Sequence, residues 1–481
     1  MRLPKAYRPD PKFTALGPEF YDPVAPADFP KSEIRFRNNR IAERIGLDGL
    51  SDEEWISAFA RFDPLPGNLG EALALRYHGH QFRTYNPDLG DGRGFLYAQM
   101  REAETGRLLD LGTKGSGKTP WSRQGDGRLT LKGAVREVLA TEMLEALGVP
   151  TSKTLSVIET GEALHRHDEP SPTRSAVLVR LSHSHVRFGT FQRLAYFDRA
   201  DLIARLVDYV IETYYPALVP TPSNARPAAL LGAVVEQSAR LVARWTAAGF
   251  VHGVLNTDNM NITGESFDYG PYRFAPLYDP KFTAAYFDEF GLYAFGRQAE
   301  AVYWNLAQLA GCLALVAEAE VLTDALNRYG ELWPSELRAA FVRRLGVKPR
   351  TPEEDSALAQ TLLQVLAAGG EALRWEPLFF DWFGGEASRG RATGGPRAAF
   401  YRSGALAESF PAFEAALADY EPDRPERLNA RYFARPEPEE LLYDEIEAIW
   451  AAIAERDDWS PFHAKVEAIG VARAALAIAV P

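Results

Sequence analysis

Near residue 195 the hydrophobic period of this chain changes, and that change limits the architectures open to it. Before it, the runs 95–100 and 108–114 read as strands joined by the polar turn 102–106. A helix is expected over 131–147, closed by Gly148 and Pro150. Strands follow at 154–159 and 176–181, so region 90–182 runs strand, strand, helix, strand, strand. Beyond it, 202–214 and 228–247 carry apolar residues at three- and four-residue spacing, the period of an amphipathic helix. A loop region, 251–288, separates these from a second helical tract starting near residue 297. Residues 318–481 read as helices rich in Ala, Leu and Glu, interrupted by a Gly-rich stretch, 384–395, expected to be a mobile loop. The first 70 residues are rich in Pro and aromatic side chains, with one helix near 39–45.

Charge and cysteine usage remove several function classes. A formal net charge of −12 opposes general binding to nucleic acid, which needs a basic surface, though it permits a local basic pocket. The one cysteine, Cys312, excludes an intrachain disulfide and a cysteine-based zinc site, and suits a reducing compartment. The opening MRLPKAYRPD lacks the apolar run of a secretory signal. The longest apolar stretch, around 312–316, falls far short of the roughly 20 residues of a membrane span. A cytoplasmic, monomeric protein without membrane or nucleic-acid partners is expected.

Gly112-Thr-Lys-Gly-Ser-Gly-Lys-Thr119 matches the phosphate-binding pattern G-x-x-x-x-G-K-[ST] letter for letter. That loop works only where its Lys and Thr open a helix whose N-terminus holds the phosphates. Pro120 and Trp121 follow here, then Ser-Arg-Gln-Gly-Asp-Gly, which cannot sustain a helix past one turn. Lys114 is therefore assigned to a strand end, and 115–117 to the loop after it.

A different constellation takes the pattern's place. The loop Gly90-Asp-Gly-Arg93 precedes a strand, Lys114 ends the next, and Glu137 sits in the following helix. Well downstream come His252-Gly-Val-Leu-Asn-Thr-Asp-Asn259 and Asp268-Tyr-Gly270. This is the order of the nucleotide-binding parts of protein kinases. A lysine facing polyphosphate needs a carboxylate to hold its flexible stem, and Glu137 can supply it. Asn259 and Asp268 offer hard oxygen ligands, suited to Mg²⁺ or Mn²⁺ rather than zinc. Arg180 and Arg187 flank a His-rich turn and could clamp an anion. One part is missing. Kinases place a catalytic Asp five residues before the metal-binding Asn, and that position is Val254, which cannot take a proton. An acid does stand one residue before Asn259, at Asp258. Either the chain is catalytically dead or it does different chemistry on the same nucleotide. The predicted class is α+β, a kinase-like bilobal fold: an extension over 1–75 wrapping the lobes, a small lobe over 76–195, a helical lobe with the metal site over 196–330, and extra helices over 331–481.

These residues resemble the selenoprotein O family (the YdiU-type proteins), pseudokinases that act as protein adenylyltransferases. The likeness rests on His78-Gly-His-Gln-Phe82, Leu89-Gly-Asp-Gly-Arg93, Ser122-Arg-Gln-Gly-Asp-Gly-Arg128, Arg136-Glu-Val-Leu-Ala-Thr-Glu142, Asn256-Thr-Asp-Asn-Met260 and Asp268-Tyr-Gly-Pro271, and spans roughly 75–310. It implies that ATP lies turned end for end relative to a kinase, with its α-phosphate toward the acceptor. By that resemblance Lys114, Arg180 and Arg187 hold the phosphates. Gly90, Gly92, Arg93, Asp126 and Gly127 complete the nucleotide pocket, and Glu137 positions Lys114. Asn259 and Asp268 bind Mg²⁺ or Mn²⁺, with Asp268 also beside the nucleotide. Asp258 accepts the proton of a Ser, Thr or Tyr hydroxyl on a protein substrate, AMP is transferred and pyrophosphate leaves. UMP transfer from UTP is a variant that the family allows. The sequence departs from the family at Gly117-Lys118, where many relatives carry Gly-Arg. It also lacks the redox Cys or selenocysteine of some relatives near its end, so redox control through the tail is not expected.

Overall fold

The strand Leu108–Lys114 is buried along its whole length, which requires cover on both faces of its sheet. The computed structural model, which describes residues 4–167 and 169–479, supplies that cover. Residues 1–3 and the last two of the tail, on which expectations about a leader and the chain end bear, lie outside the described residues. The chain is mixed α+β, with its large sheet in the amino-terminal part and helices filling the carboxy-terminal part.

Seven strands lie side by side in the order Tyr21–Val24, Ala72–Leu75, Leu96–Arg101, Leu108–Lys114, Thr173–Ser182, Lys153–Leu164 and Glu33–Arg37, all antiparallel. The short Leu129–Thr130 pairs off the strand Thr173–Ser182. Side-chain alternation splits that strand between two cores. Ala176 and Leu178 join the core shared with the helix Leu131–Ala146, while Val177, Val179 and Leu181 join one with the helices Asn39–Arg44 and Asp52–Phe59. The register opposes Leu178 to Lys114 and Arg180 to Gly112, so Lys114 and Arg180 share a face. Gly112 is what permits this crowding, because a Cβ there would meet the His185 ring at 2.1 Å.

The four strands and the helix expected over 95–182 are present, each within a few residues of its expected bounds. Thr130 caps the helix Leu131–Ala146 by accepting from the Gly133 amide, and Gly148 (φ 77°) turns the chain away beyond its end. No helix follows Lys118, which is exposed; the next begins at Leu131, so the phosphate-loop pattern is a coincidence of letters. The amino-terminal segment holds more than one helix. It contributes the sheet's two outer strands, Tyr21–Val24 and Glu33–Arg37, and the inner strand Ala72–Leu75, and a capping box from Ser51 and Glu54 starts the helix Asp52–Phe59.

Within the helical part, Ala200–Tyr214, Arg226–Ala247 and Gln298–Leu313 frame the irregular region 251–288. A two-stranded ladder, Phe250–Val251 with Arg273–Phe274, pins both ends of a loop carrying Thr257–Asn259 and Asp268. The Gly-rich stretch 384–395 is not a free loop. Gly384 and Gly385 take positive φ to reverse the chain, and a 3₁₀ turn Gly385–Ser388 leads into the helix Arg389–Gly394. Arg391 fixes that helix by donating to the carbonyls of Phe380 and Phe383 at 2.8 and 2.9 Å. Among the described residues no helix is long and apolar enough to cross a membrane.

Candidate active site

The end of strand Leu108–Lys114, the segment after strand Thr173–Ser182 and the pinned loop 252–272 meet at a cleft of about 800 Å³. Gly90, Gly92, Arg93, Lys114, Asp126, Gly127, Arg180, Arg187, Asp258, Asn259 and Asp268 all line it. Glu137 stands behind the wall, reached through Lys114. Residues up to 178 positions apart in sequence are thus brought to one place.

Charge is dense here. Lys114 Nζ lies 2.5 Å from Glu137 Oε2 and 3.3 Å from Asp268 Oδ1. Arg180 donates to Asp268 Oδ1, and Arg187 Nη1 donates to Asp268 Oδ2 at 2.5 Å. Burial opposes ionisation of Asp268, but Arg180, Arg187 and Lys114 together hold it well below the usual carboxylate range. Its backbone is left-handed, φ 63°, an uncommon geometry for Asp that turns the carboxylate toward these cations. Arg187 is sandwiched by the Tyr77 and Phe267 rings, with 4.5 and 4.7 Å from guanidinium to ring centres. Arg180 Nε donates to His185 Nε2 at 3.3 Å, and Asp110 accepts from the His185 amide at 2.9 Å. That chain of buried groups fixes the Arg180 fork.

Among the acids lining the cleft, Asp258 is set apart by an oxygen without a partner. Its Oδ1 is buried with no hydrogen-bond partner, and desolvation pushes its carboxyl up to about 6, with nearby Arg187 opposing the rise. Its carbonyl accepts from Arg187 Nη1 at 2.8 Å. Gly79 makes room for it, since a Cβ there would stand 2.9 Å from Asp258 Oδ1. The neighbours hold the turn: the Thr257 hydroxyl donates to Gln192 and accepts from the His80 amide, and Asn256 Oδ1 accepts from Tyr293 and the Phe82 amide. Val254 lines the cleft too, and its carbonyl accepts from Asn259 Nδ2 at 3.0 Å, leaving Asn259 Oδ1 free as an acceptor.

The two Gly-Asp-Gly-Arg copies form the opposite rim. Gly90 and Gly92 have no Cβ because Trp121 packs on them, with approaches of 2.4 and 2.8 Å to the atoms a Cβ would meet. Gly127 (φ 71°) crosses Gly117 within backbone contact. Asp126 is paired outward with Arg166 at 2.8 Å, so it closes the rim rather than the cleft floor. Sequence reasoning did not single out Asp91, buried in the cleft 3.5 Å from Arg187, nor Tyr77, Phe267 and Trp121. Asp91 was visible in principle, standing between the two rim glycines.

A divalent ion fits the donors present. Mg²⁺ takes one or two protein carboxylates and fills its remaining positions with water and phosphate oxygens. The free Asn259 Oδ1 and Asp268, held ionised by its cations, are both hard oxygens. Among the described residues, no three or more His, Cys, Asp or Glu side chains gather as a self-sufficient metal cage.

Comparison with known proteins agrees over nearly the whole chain. A family model described as Protein adenylyltransferase SelO matches residues 5–470, well beyond the span 75–310 that carries the motifs. A protein nucleotidyltransferase YdiU of Gloeobacter violaceus is 47% identical, over 98% of this chain and 96% of that protein. One from Synechocystis sp. is 44% identical, over 95% and 97%. A more distant relative of the same name, from Vibrio cholerae, is 41% identical over 74% of this chain and 71% of its own length. The chain belongs to the SelO family of protein adenylyltransferases.

Proposed function

We propose that this enzyme moves AMP from ATP to Ser, Thr or Tyr hydroxyls of protein substrates, within a kinase-like two-lobed frame whose lobes are 76–195 and 196–330. Family membership makes it a protein adenylyltransferase. The observation that carries the residue roles is Asp258: a buried carboxyl with an unsatisfied oxygen, in the same cleft as Lys114, Arg180 and Arg187.

The roles follow from charge and reach. Lys114, Arg180 and Arg187 are the donors for the β- and γ-phosphates, with Glu137 steadying Lys114 as the nucleotide arrives. Gly90, Gly92 and Gly127 let backbone approach the nucleotide, and Arg93 and Asp126 close the rim. Asn259 and Asp268 would hold Mg²⁺ or Mn²⁺, which supplies positive charge against the α-phosphate and the departing pyrophosphate. Asp258, ionised above about pH 6, takes the proton from the acceptor hydroxyl. The hydroxyl oxygen bonds to the α-phosphorus, the bond from that phosphorus to the bridging oxygen breaks, and pyrophosphate leaves. Val254 is harmless in this arrangement, because the acceptor approaches the α-phosphorus beside Asp258. UTP in place of ATP would pass through the same steps, as UMP transfer.

Parallel incubations with α-labelled and γ-labelled ATP, Mg²⁺ and a protein acceptor test the reading. Label should enter protein from the α position alone. Transfer from the γ position would make the enzyme a kinase with a displaced base, and transfer from neither would leave a nucleotide-binding scaffold.

A further inference from the structure

Behind the catalytic cleft lies a second cavity, of about 330 Å³, that shares no lining residue with it. Its walls come from the starts and ends of sheet strands, the helices Ala200–Tyr214 and Arg226–Ala247, and the loop 263–265. Four cations face it, Arg44, Arg107, Lys153 and Arg240, against two acids, Glu145 and Glu265. Such a surplus is notable in a chain of net charge −12.

Acids outside the lining pair three of these cations: Glu102 meets Arg44 and lies 3.5 Å from Arg107, and Glu336 lies 3.2 Å from Arg240. Among the described residues, Lys153 has no carboxylate that close. Glu145 is already held by Arg40 at 2.5 Å and Arg473 at 3.3 Å, neither of which lines the cavity, and stays 3.7 Å from Lys153. Glu265 accepts from the His183 amide at 2.8 Å, and burial pushes its carboxyl up against the pull of Lys153 and Arg107. Lys153 Nζ, on a side chain only 12% exposed, has a backbone carbonyl, that of Thr151, at 2.5 Å. The Ser182 hydroxyl is buried on the lining with no hydrogen-bond partner, and buried Arg107 Nε makes no hydrogen bond, its carboxylate neighbour Glu102 Oε2 standing 3.5 Å away. Unsatisfied buried donors carry a free-energy cost that an anion's acceptor oxygens would remove.

Position adds weight. His183 lies between Arg180 and Arg187, and Glu265 lies three residues before Asp268. The His183–Glu265 hydrogen bond therefore clasps together the two segments that bring cations and carboxylate to the catalytic cleft.

We propose that this cavity is a second anion site, taking a small phosphate-bearing ligand on Lys153, Arg107 and Ser182. Its occupancy does not depend on AMP transfer. The full chain, with its catalytic cleft held by saturating α,β-methylene ATP, would be titrated calorimetrically with inorganic phosphate and, separately, glycerol 3-phosphate. Saturable binding is expected, weakened at least tenfold in Lys153→Met and in Arg107→Gln, while both variants keep the parent affinity for the ATP analogue. Tighter binding of glycerol 3-phosphate assigns an organic phosphomonoester, and equal binding assigns free phosphate. Absence of saturable binding to the unsubstituted chain, or equal binding by the variants, overturns the proposal. Arg107, with a side chain 38% exposed, decides the matter if Lys153→Met does not fold. The comparison of variants reads this cavity whether or not the analogue binds, so it is separable from the assignment of the catalytic cleft.

Discussion

Asp258 concentrates the chemistry of the proposed reaction in one side chain, and its environment makes a two-part prediction. Burial lifts its carboxyl to about 6, so AMP transfer should rise as pH passes through that value and level off above it. Asp258→Asn should cut turnover by roughly 10²–10⁴-fold, the usual span for a lost general base, and leave ATP binding near the parent value. Stability moves the other way. The folded carboxyl titrates above its ordinary value of 3.8, so charging it opposes folding. Stability is full below about pH 4 and is lost as pH climbs through about 6, by up to roughly 3 kcal/mol at about 1.4 kcal/mol per pH unit. Asp258→Asn removes that loss, so its Tm advantage over the parent should widen between pH 4 and pH 8 in calorimetry. A difference that stays constant with pH would show that the ionised carboxyl bears no burial cost. At this scale the sequence was legible where residue type and order specify chemistry, as for Lys114, Glu137 and Asp268. It was silent on Tyr77 and Phe267, because no local pattern tells which rings will face a guanidinium.

The elements that carry the cleft were legible for a related reason. Strand Leu108–Lys114 and helix Leu131–Ala146 announce themselves through a leucine-rich run between a polar turn and a Gly-rich loop, a helical period and a terminal Gly-x-Pro. The strands Tyr21–Val24 and Ala72–Leu75 do not, being four residues each and formed because Tyr21 meets Leu75 across 53 residues of intervening chain. The stretch 384–395 misled in the opposite sense, since its glycines build a turn and a helix that Arg391 then holds. Helix Leu131–Ala146 deserves a direct test because Glu137 rides on it. Thr130→Ala removes the acceptor for the Gly133 amide and should cost about 1 kcal/mol. The expected result is a lower Tm with ATP affinity falling less than threefold, since the cap fixes the helix start and not the Lys114 pair. A large loss of ATP affinity at unchanged Tm would place Thr130 in nucleotide binding instead.

On the scale of the whole molecule, the carboxy-terminal helices reach back to that same element. Ser460–Leu476 packs along Leu131–Ala146, and Phe462, Ile469 and Leu476 enter the core that the helix shares with the sheet. Arg473 bonds Glu142 at 2.5 Å and approaches Glu145 at 3.3 Å, while Lys132 meets Glu447 of the neighbouring helix Tyr443–Arg456 at 2.8 Å. Glu142 is almost fully buried, so removing Arg473 strips a carboxylate of one of its cations rather than breaking a solvated surface pair. The cost expected is about 1–3 kcal/mol, against a few tenths for an exposed pair. Glu142 lies five residues, about 1.4 helical turns, from Glu137. Loosening the far half of the helix should therefore loosen the Lys114 partner as well. Arg473→Ala is expected to lower amide protection across 131–146 in hydrogen exchange, and to raise the KM for ATP more than it lowers kcat, although no residue of the cleft is altered. Protection unchanged in that helix, with Tm falling by the same amount, would mean that the carboxy-terminal helices stabilise the molecule without reaching its active site.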